Sequence, residues 1–321
     1  MKKFKAIKYV AGSFAMALFL VGCNEDKASE VEGSTSEAEV EEIEVEATTK
    51  IYTDALQREV EIPTNPERVV ALWTVGEMLA LDFKPIGSTE QMLRFYPEDA
   101  KEGIEIVGEG VAGDYEKILS LNPDLIVVFG LSKEEELAQY SKIAPTVATQ
   151  FFGEPIQSLR DVAEILNKQD EAEAWIKGYN ERVEAAREEL KDLKLQEEKA
   201  VVIQLALKNM YVYRSQTFPT IFDAYQFQLS DYQAKLQENA NFDKEQLSME
   251  VIPQFEDTDR IFLIVSDEDS KATYEELLQS SVWKNLPAVK NNKVHVLDNR
   301  ISMADVTTLD WALEEVKQLI K

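Results

Sequence analysis

The sequence predicts an α/β protein of two lobes, each built on a mostly parallel sheet flanked by helices, with one long interlobe helix joining them. Three observations carry this reading. Short runs rich in Val, Ile and Leu recur along the chain with helical segments between them, the alternation that builds parallel α/β layers. These runs fall into two groups. Between the groups lies a proline-free segment whose apolar residues step by three and four.

In the first group, Arg68-Val69-Val70-Ala71-Leu72 reads as a strand and Val75 to Leu81 as the helix after it. Leu125-Ile126-Val127-Val128-Phe129 is a second buried strand, announced by the turn signal Asn122-Pro123-Asp124. The second group holds Ala200-Val201-Val202-Ile203, Tyr211-Val212-Tyr213, Ile261-Phe262-Leu263-Ile264-Val265 and Val294-His295-Val296-Leu297. Between the groups, Trp175, Ile176, Tyr179, Val183, Ala186 and Leu190 mark one amphipathic helix over Asp170 to Leu195. At about 1.5 Å per residue such a helix is nearly 40 Å long, enough to span two lobes and to limit how far they hinge.

An internal echo points to related lobes. Tyr115-Glu116-Lys117-Ile118-Leu119 precedes the strand at Leu125, and Met249-Glu250-Val251-Ile252-Pro253 precedes the strand at Ile261. Each glutamate is expected near the start of a short helix. The helix dipole favours a carboxylate there by about 0.3–1 kcal/mol, which explains each glutamate alone but the matched pair less well.

The N-terminus reads as an export signal over residues 1–22. Lys2, Lys3, Lys5 and Lys8 precede an apolar stretch from Val10 to Val21, which is short for a membrane span. The ending Leu20-Val21-Gly22-Cys23 resembles a bacterial lipobox, which implies that Cys23 becomes a lipid-modified N-terminus held at a membrane surface. The alternative is an ordinary signal peptide with a chance cysteine. A disulfide is excluded, because Cys23 is the only cysteine. Residues 23–50 carry ten acidic residues, two lysines and almost no large apolar side chains, and are expected to form a disordered, self-repelling tether. The remaining chain divides into an N-terminal lobe over 51–168, the interlobe helix over 169–197 and a C-terminal lobe over 198–321.

Composition excludes several classes of function. A formal net charge of −26 argues against nucleic-acid binding. One histidine and one cysteine cannot build the usual His/Cys zinc site, and no metal or cofactor site is expected. No Gly-x-Ser-x-Gly, Walker A loop or His-Glu-x-x-His occurs, so no catalytic residues are assigned. His295 sits in an apolar-flanked strand pattern, where a structural role outweighs catalysis. Gly108-Glu109-Gly110-Val111-Ala112-Gly113 matches dinucleotide-binding spacing, but only the short run Ile104 to Val107 offers the preceding strand.

Several stretches together resemble the periplasmic-type binding proteins for iron–siderophore complexes and cobalamin that feed ABC importers. They are Tyr52-Thr53-Asp54-Ala55-Leu56-Gln57-Arg58-Glu59-Val60-Glu61-Ile62-Pro63, then Pro66-Glu67-Arg68-Val69-Val70 and Leu79-Ala80-Leu81-Asp82-Phe83-Lys84-Pro85-Ile86-Gly87. Further on come Tyr115 to Ile126, Trp283 to Val294 and Thr308-Leu309-Asp310-Trp311. The resemblance covers nearly the whole chain after the tether. It implies two lobes joined by a rigid helix, with the ligand in the cleft between them. It also implies that one glutamate per lobe, matching Glu116 and Glu250, docks to arginines of the permease.

Ligand contacts are placed by a general rule: in open α/β lobes, ligands sit outside the carboxyl ends of strands. That selects Trp73, the loop carrying Tyr213, Arg214 and Phe218, the segment with Arg94 and Tyr96, and the turn with Arg300 and Met303. Arginines can hydrogen-bond anionic oxygens around a ferric chelate, and aromatic faces can cover its apolar periphery. A plain surface role for the arginines and a core role for Phe95 and Phe218 stay open. Hydroxamate binders of the resembling family often carry a Trp-Gly-Arg-Gly type sequence where this chain has Thr217-Phe218-Pro219-Thr220. A ferric hydroxamate is the first expectation, with a catecholate, citrate-type or other metal chelate, haem or cobalamin as alternatives. A surface-anchored enzyme on a related scaffold is the rival class. The expected partners are the ferric siderophore, an ABC permease with its ATPase, and the membrane through the lipid anchor. The expected form is a monomer on the outer face of a Gram-positive cell membrane.

Overall fold

The computed structural model describes residues 48–150 and 154–321. The export signal, Cys23 and the tether up to residue 47 lie outside the described residues. The end of the expected tether is ordered: β1 (Thr49–Thr53) pairs antiparallel with β2 (Glu59–Pro63). Asp54 holds the turn between them. Its buried carboxylate accepts the backbone N–H of Leu56 (2.9 Å) and Arg58 (3.0 Å), the Arg58 guanidinium, and the N–H of Ala148 (3.1 Å). Burial pushes this carboxyl upward, but the bonds from Arg58 and Ala148 prevail and hold it below the usual carboxylate range.

The first lobe is built on β3 (Val69–Ala71), β4 (Gly87–Ser88), β5 (Glu105–Ile106), β6 (Leu125–Phe129) and β7 (Thr146–Thr149). Their order is β5-β4-β3-β6-β7, all parallel. Continuous apolar runs in β3 and β6 follow from coverage on both faces. Val69, Ala71, Leu125, Val127 and Val147 point into one core, with helices Val75–Ala80 and Pro155–Leu166. Val70, Leu72, Ile126, Val128 and Ala148 point into the other, with Ile118, Leu137 and Tyr140. This is the period-two alternation of a strand.

The second lobe holds β8 (Lys199–Ala206), β9 (Asn209–Tyr213), β10 (Gln228–Leu229), β11 (Lys244–Leu247), β12 (Arg260–Val265) and β13 (Val294–Leu297). The order is β11-β9-β8-β12-β13, with β10 also beside β8. β8, β10, β12 and β13 are parallel, whereas β9 runs antiparallel to β8 and β11 antiparallel to β9. The reversal is local. Leu207 and Lys208 both take positive φ (51° and 67°), a two-residue hairpin tip that leaves no room for a crossover.

The long helix is shorter than expected, spanning Gln169–Glu189 rather than reaching Leu195. Two 3₁₀ turns, Lys191–Leu193 and Leu195–Glu197, follow it, with Lys194 left-handed between them. Burial explains the break. Leu190 continues the stripe of Tyr179, Val183 and Ala186, but Leu195 would stand about 140° round a continuous helix from Leu190. Ending the helix lets both leucines enter the same core. The echo is also imperfect. Glu116 stands in the first turn of an α-helix, Tyr115–Ser120, whereas Glu250 lies in a turn before the 3₁₀ helix Ile252–Phe255. Three residues per 3₁₀ turn put Ile252 and Phe255 on one side, where both are buried.

The long helix crosses the seam between the lobes as expected, and among the described residues a second helix accompanies it. Ala172 and Ile176 of the long helix belong to the first lobe's core, and its Tyr179, Val183 and Ala186 to the second's. The helix Val306–Ile320 divides likewise: Val306 joins the first core, and Leu309, Ala312, Leu313, Val316 and Ile320 the second. Among the described residues no helix is long and apolar enough to cross a membrane.

Candidate functional site

A cavity of about 330 Å³ lies between the lobes, at the carboxyl end of β3 where the strand order turns toward β4 on one side and β6 on the other. Trp73, two residues past β3, forms part of its wall and stands with its ring centroid 5.7 Å from Phe129. From the second lobe come Tyr213 and Phe218, packed edge to face at 6.0 Å. Phe218 is almost wholly buried, so it presents little more than an edge. Arg214 lines the wall with its Nε 3.7 Å from Asp243 Oδ1, and Met303 and Tyr96 complete the expected set found there.

Arg94 and Arg300 do not line this cavity. They face a separate open depression shared with Asp298, Asn299 and Trp311. The Arg94 guanidinium lies 4.5 Å from the Phe95 ring centroid and that of Arg300 5.0 Å from that of Trp311. A planar, weakly hydrated cation stacks readily on an aromatic face, and that neighbour was present in the sequence at Phe95.

The cavity also brings together polar residues the sequence analysis passed over. Glu77, in the helix Val75–Ala80, is 5 % exposed and accepts a hydrogen bond from Ser158. Burial, reinforced by the nearby Asp305 carboxylate, pushes its pKa up to about 8. Asp305 caps the helix Val306–Ile320, accepting the Thr308 N–H (2.7 Å), the Thr307 hydroxyl (2.8 Å) and the Tyr96 hydroxyl (2.5 Å). Burial and the two carboxyl groups push the Tyr96 phenol well above its ordinary range. On the second lobe Gln204 donates to Ser266 (2.7 Å) and Ser302 (3.0 Å). A signal for Glu77 did exist: it is the lone charge in Val75-Gly76-Glu77-Met78-Leu79-Ala80-Leu81.

Close packing and strain mark the same place. A Cβ on Gly76 would stand 2.2 Å from Asp305 Oδ2, so only glycine lets the two elements approach. Thr74 (φ 60°) and Ala304 (φ 48°) both line the cavity in the left-handed region, which a β-branched residue adopts at a cost of order 1–3 kcal/mol.

The other singled-out residues lie elsewhere. Glu116 and Glu250 are exposed, one on each lobe. Gly108 to Gly113 form a loop filled by protein: the Tyr140 hydroxyl accepts the Gly113 N–H (3.0 Å) and donates to its carbonyl (3.1 Å). His295 Nε2 stands 2.8 Å from Arg260 Nη1, and burial with that neighbouring cation lowers its pKa to about 4. It is therefore a neutral acceptor within β13. Among the described residues no group of His, Cys, Asp and Glu is arranged to hold a metal ion.

Comparison with known proteins adds an independent line. A family model described as periplasmic binding protein matches residues 86–301. The iron(3+)-hydroxamate-binding protein FhuD of Bacillus subtilis is 29 % identical over 302 residues, covering 91 % of this chain and 90 % of its own. The probable siderophore-binding lipoprotein YfiY of the same species is 28 % identical, covering 99 % and 98 %. Among solved structures, Staphylococcus aureus SirA complexed with staphyloferrin B superposes with a TM-score of 0.73 at 28 % identity, over 85 % of this chain and 98 % of that one.

Proposed function

The chain belongs to the periplasmic binding protein family, a family of solute-binding rather than catalytic proteins, and from that premise we propose that it captures a ferric siderophore and delivers it to an ABC importer. The supporting observation is the cavity between the lobes at the carboxyl ends of the strands, walled by Trp73, Tyr213 and Tyr96 and backed by polar side chains from both lobes. Aromatic faces suit the apolar periphery of a chelate, and the amide and hydroxyl groups suit its oxygen-rich metal centre. A hydroxamate is the favoured ligand, in keeping with the similarity to the iron(3+)-hydroxamate-binding protein FhuD. In this reading the iron complex is cargo, and the protein holds no cofactor of its own.

The receptor acts as a monomer on the outer face of a Gram-positive membrane, held through a lipid on Cys23 and a flexible acidic tether. Glu116 and Glu250 dock it to the permease, whose ATPase drives uptake. Two exposed carboxylates, one per lobe, form a two-point electrostatic register that sets orientation more than affinity. Residues 51–168 and 198–321 serve as the two ligand-gripping lobes.

Titration of intrinsic tryptophan fluorescence tests the proposal, with ferric hydroxamates, ferric catecholates, ferric citrate, haem and cobalamin as ligands. Saturable quenching by a ferric hydroxamate is the expected result. If none of these chelates binds, the protein carries another solute or is an enzyme.

A further inference from the structure

The charged residues around the cavity are distributed unevenly. The arginines best suited to an anionic ligand, Arg94 and Arg300, stand outside it over Phe95 and Trp311. Of the cations that do line it, Arg214 faces Asp243 and Lys244 lies 5.4 Å from the Tyr211 ring centroid. Arg214, Asp243 and Lys244 all belong to the second-lobe part of the wall. The first-lobe part, by contrast, is acidic. Glu77 is more than nine-tenths buried, lines the cavity, and forms no ion pair among the described residues. Asp305 adds a second carboxylate beside it, but its oxygens are already engaged by Tyr96, Thr307 and Thr308. Glu77 accepts from Ser158 and from its own backbone N–H, two bonds for a carboxyl group with about four acceptor sites.

We infer that Glu77 makes the inner wall of this cavity a subsite for a positively charged arm of the ligand. A ferric chelate bearing a free ammonium group is then preferred to the same chelate without it, and both are preferred to a chelate carrying several negative charges. A buried carboxyl without a cation is unfavourable when ionised, and a second carboxylate nearby makes it more so. An ammonium group arriving with the ligand offsets both effects and supplies donors to the free lone pairs. A polyanionic chelate would meet the Asp305 carboxylate with like charge and offers Glu77 no counter-charge. The inference rests on the siderophore-binding reading and sharpens it to a charge class.

Three ligands test it by fluorescence titration of the full chain: a ferric trihydroxamate with a free primary amine, its N-acetylated counterpart, and a ferric tris-catecholate with three negative charges. The expected order places the amine form about tenfold tighter than the acetylated form and the tris-catecholate weakest. Glu77→Gln should reduce the tenfold preference for the amine form over the acetylated form to about parity, and thermal unfolding of the variant checks that it is folded. Equal binding of the first two ligands, tightest binding of the tris-catecholate, or an amine preference that survives Glu77→Gln overturns the inference and leaves the siderophore-binding reading standing. Binding of none of the three overturns both.

Discussion

Tyr96 donates its phenolic hydrogen to Asp305, 209 residues away in sequence, over 2.5 Å. The bond fastens a first-lobe loop to the cap of the helix Val306–Ile320, whose far end lies in the second lobe's core. It thereby fixes where that helix enters the first lobe and shapes the cavity both residues line.

Removing that hydroxyl tests the fastening. Tyr96→Phe leaves a buried carboxylate one donor short, which costs about 1–3 kcal/mol because the lost bond is charge-assisted. Urea unfolding should show this loss with an unchanged slope. Wild-type stability in the variant would mean that Thr307 and Thr308 alone satisfy Asp305.

Gly76→Ala inserts a methyl group where Asp305 already stands. The carboxylate cannot swing aside without releasing its three donors, so a loss of about 1–3 kcal/mol is expected despite alanine's better helix propensity. Denaturant midpoints of the variant and the wild type decide this.

Stability should also depend on pH through Glu77, which faces Asp305 and Tyr96 as titrating neighbours and Ser158 as a neutral donor. Its folded pKa of about 8 lies above the ordinary 4.5, so the folded state holds this proton more tightly. The resulting stability is complete below about pH 4.5 and is lost as pH rises through about 8. Glu77→Gln cannot ionise. Its melting temperature relative to wild type should therefore rise between pH 5 and pH 9, and a constant difference would show that Glu77 titrates normally.

Glu116→Ala and Glu250→Ala should each abolish uptake by whole cells while leaving chelate affinity unchanged. Both side chains are exposed and neither lines the cavity, so stability should stay within about 0.5 kcal/mol. Weakened chelate binding in either variant would place that residue in the ligand site instead.

The architecture was legible where burial imposes a period. The strands at Val69, Leu125, Ile261 and Val294 stand within a residue or so of their expected bounds, because strands covered on both faces are nearly continuous in apolar residues. Ends set by distant contacts were not legible. The long helix stops before Leu195 because that leucine enters a core that includes residues more than a hundred positions away, such as Val316. The antiparallel β9 depends on two left-handed residues, Leu207 and Lys208, which carry no glycine to announce them. At the site, the strand-end rule located Trp73 and Tyr213. It could not separate Arg214 from Arg94 and Arg300, because which arginine meets an aromatic ring is decided by folding. Glu77 was missed because one acid in an apolar helix reads as a solvated face until burial is known.

Val306 closes a core whose other fully buried members lie between Tyr52 and Ile176. During synthesis those residues emerge long before the helix that follows Asp305. The early lobe must wait with an uncovered apolar face, the kind of transient exposure that invites misassembly in large chains. Order of manufacture and order of completion are thus inverted. A lesion near the C-terminus would be felt first in the half of the protein made earliest.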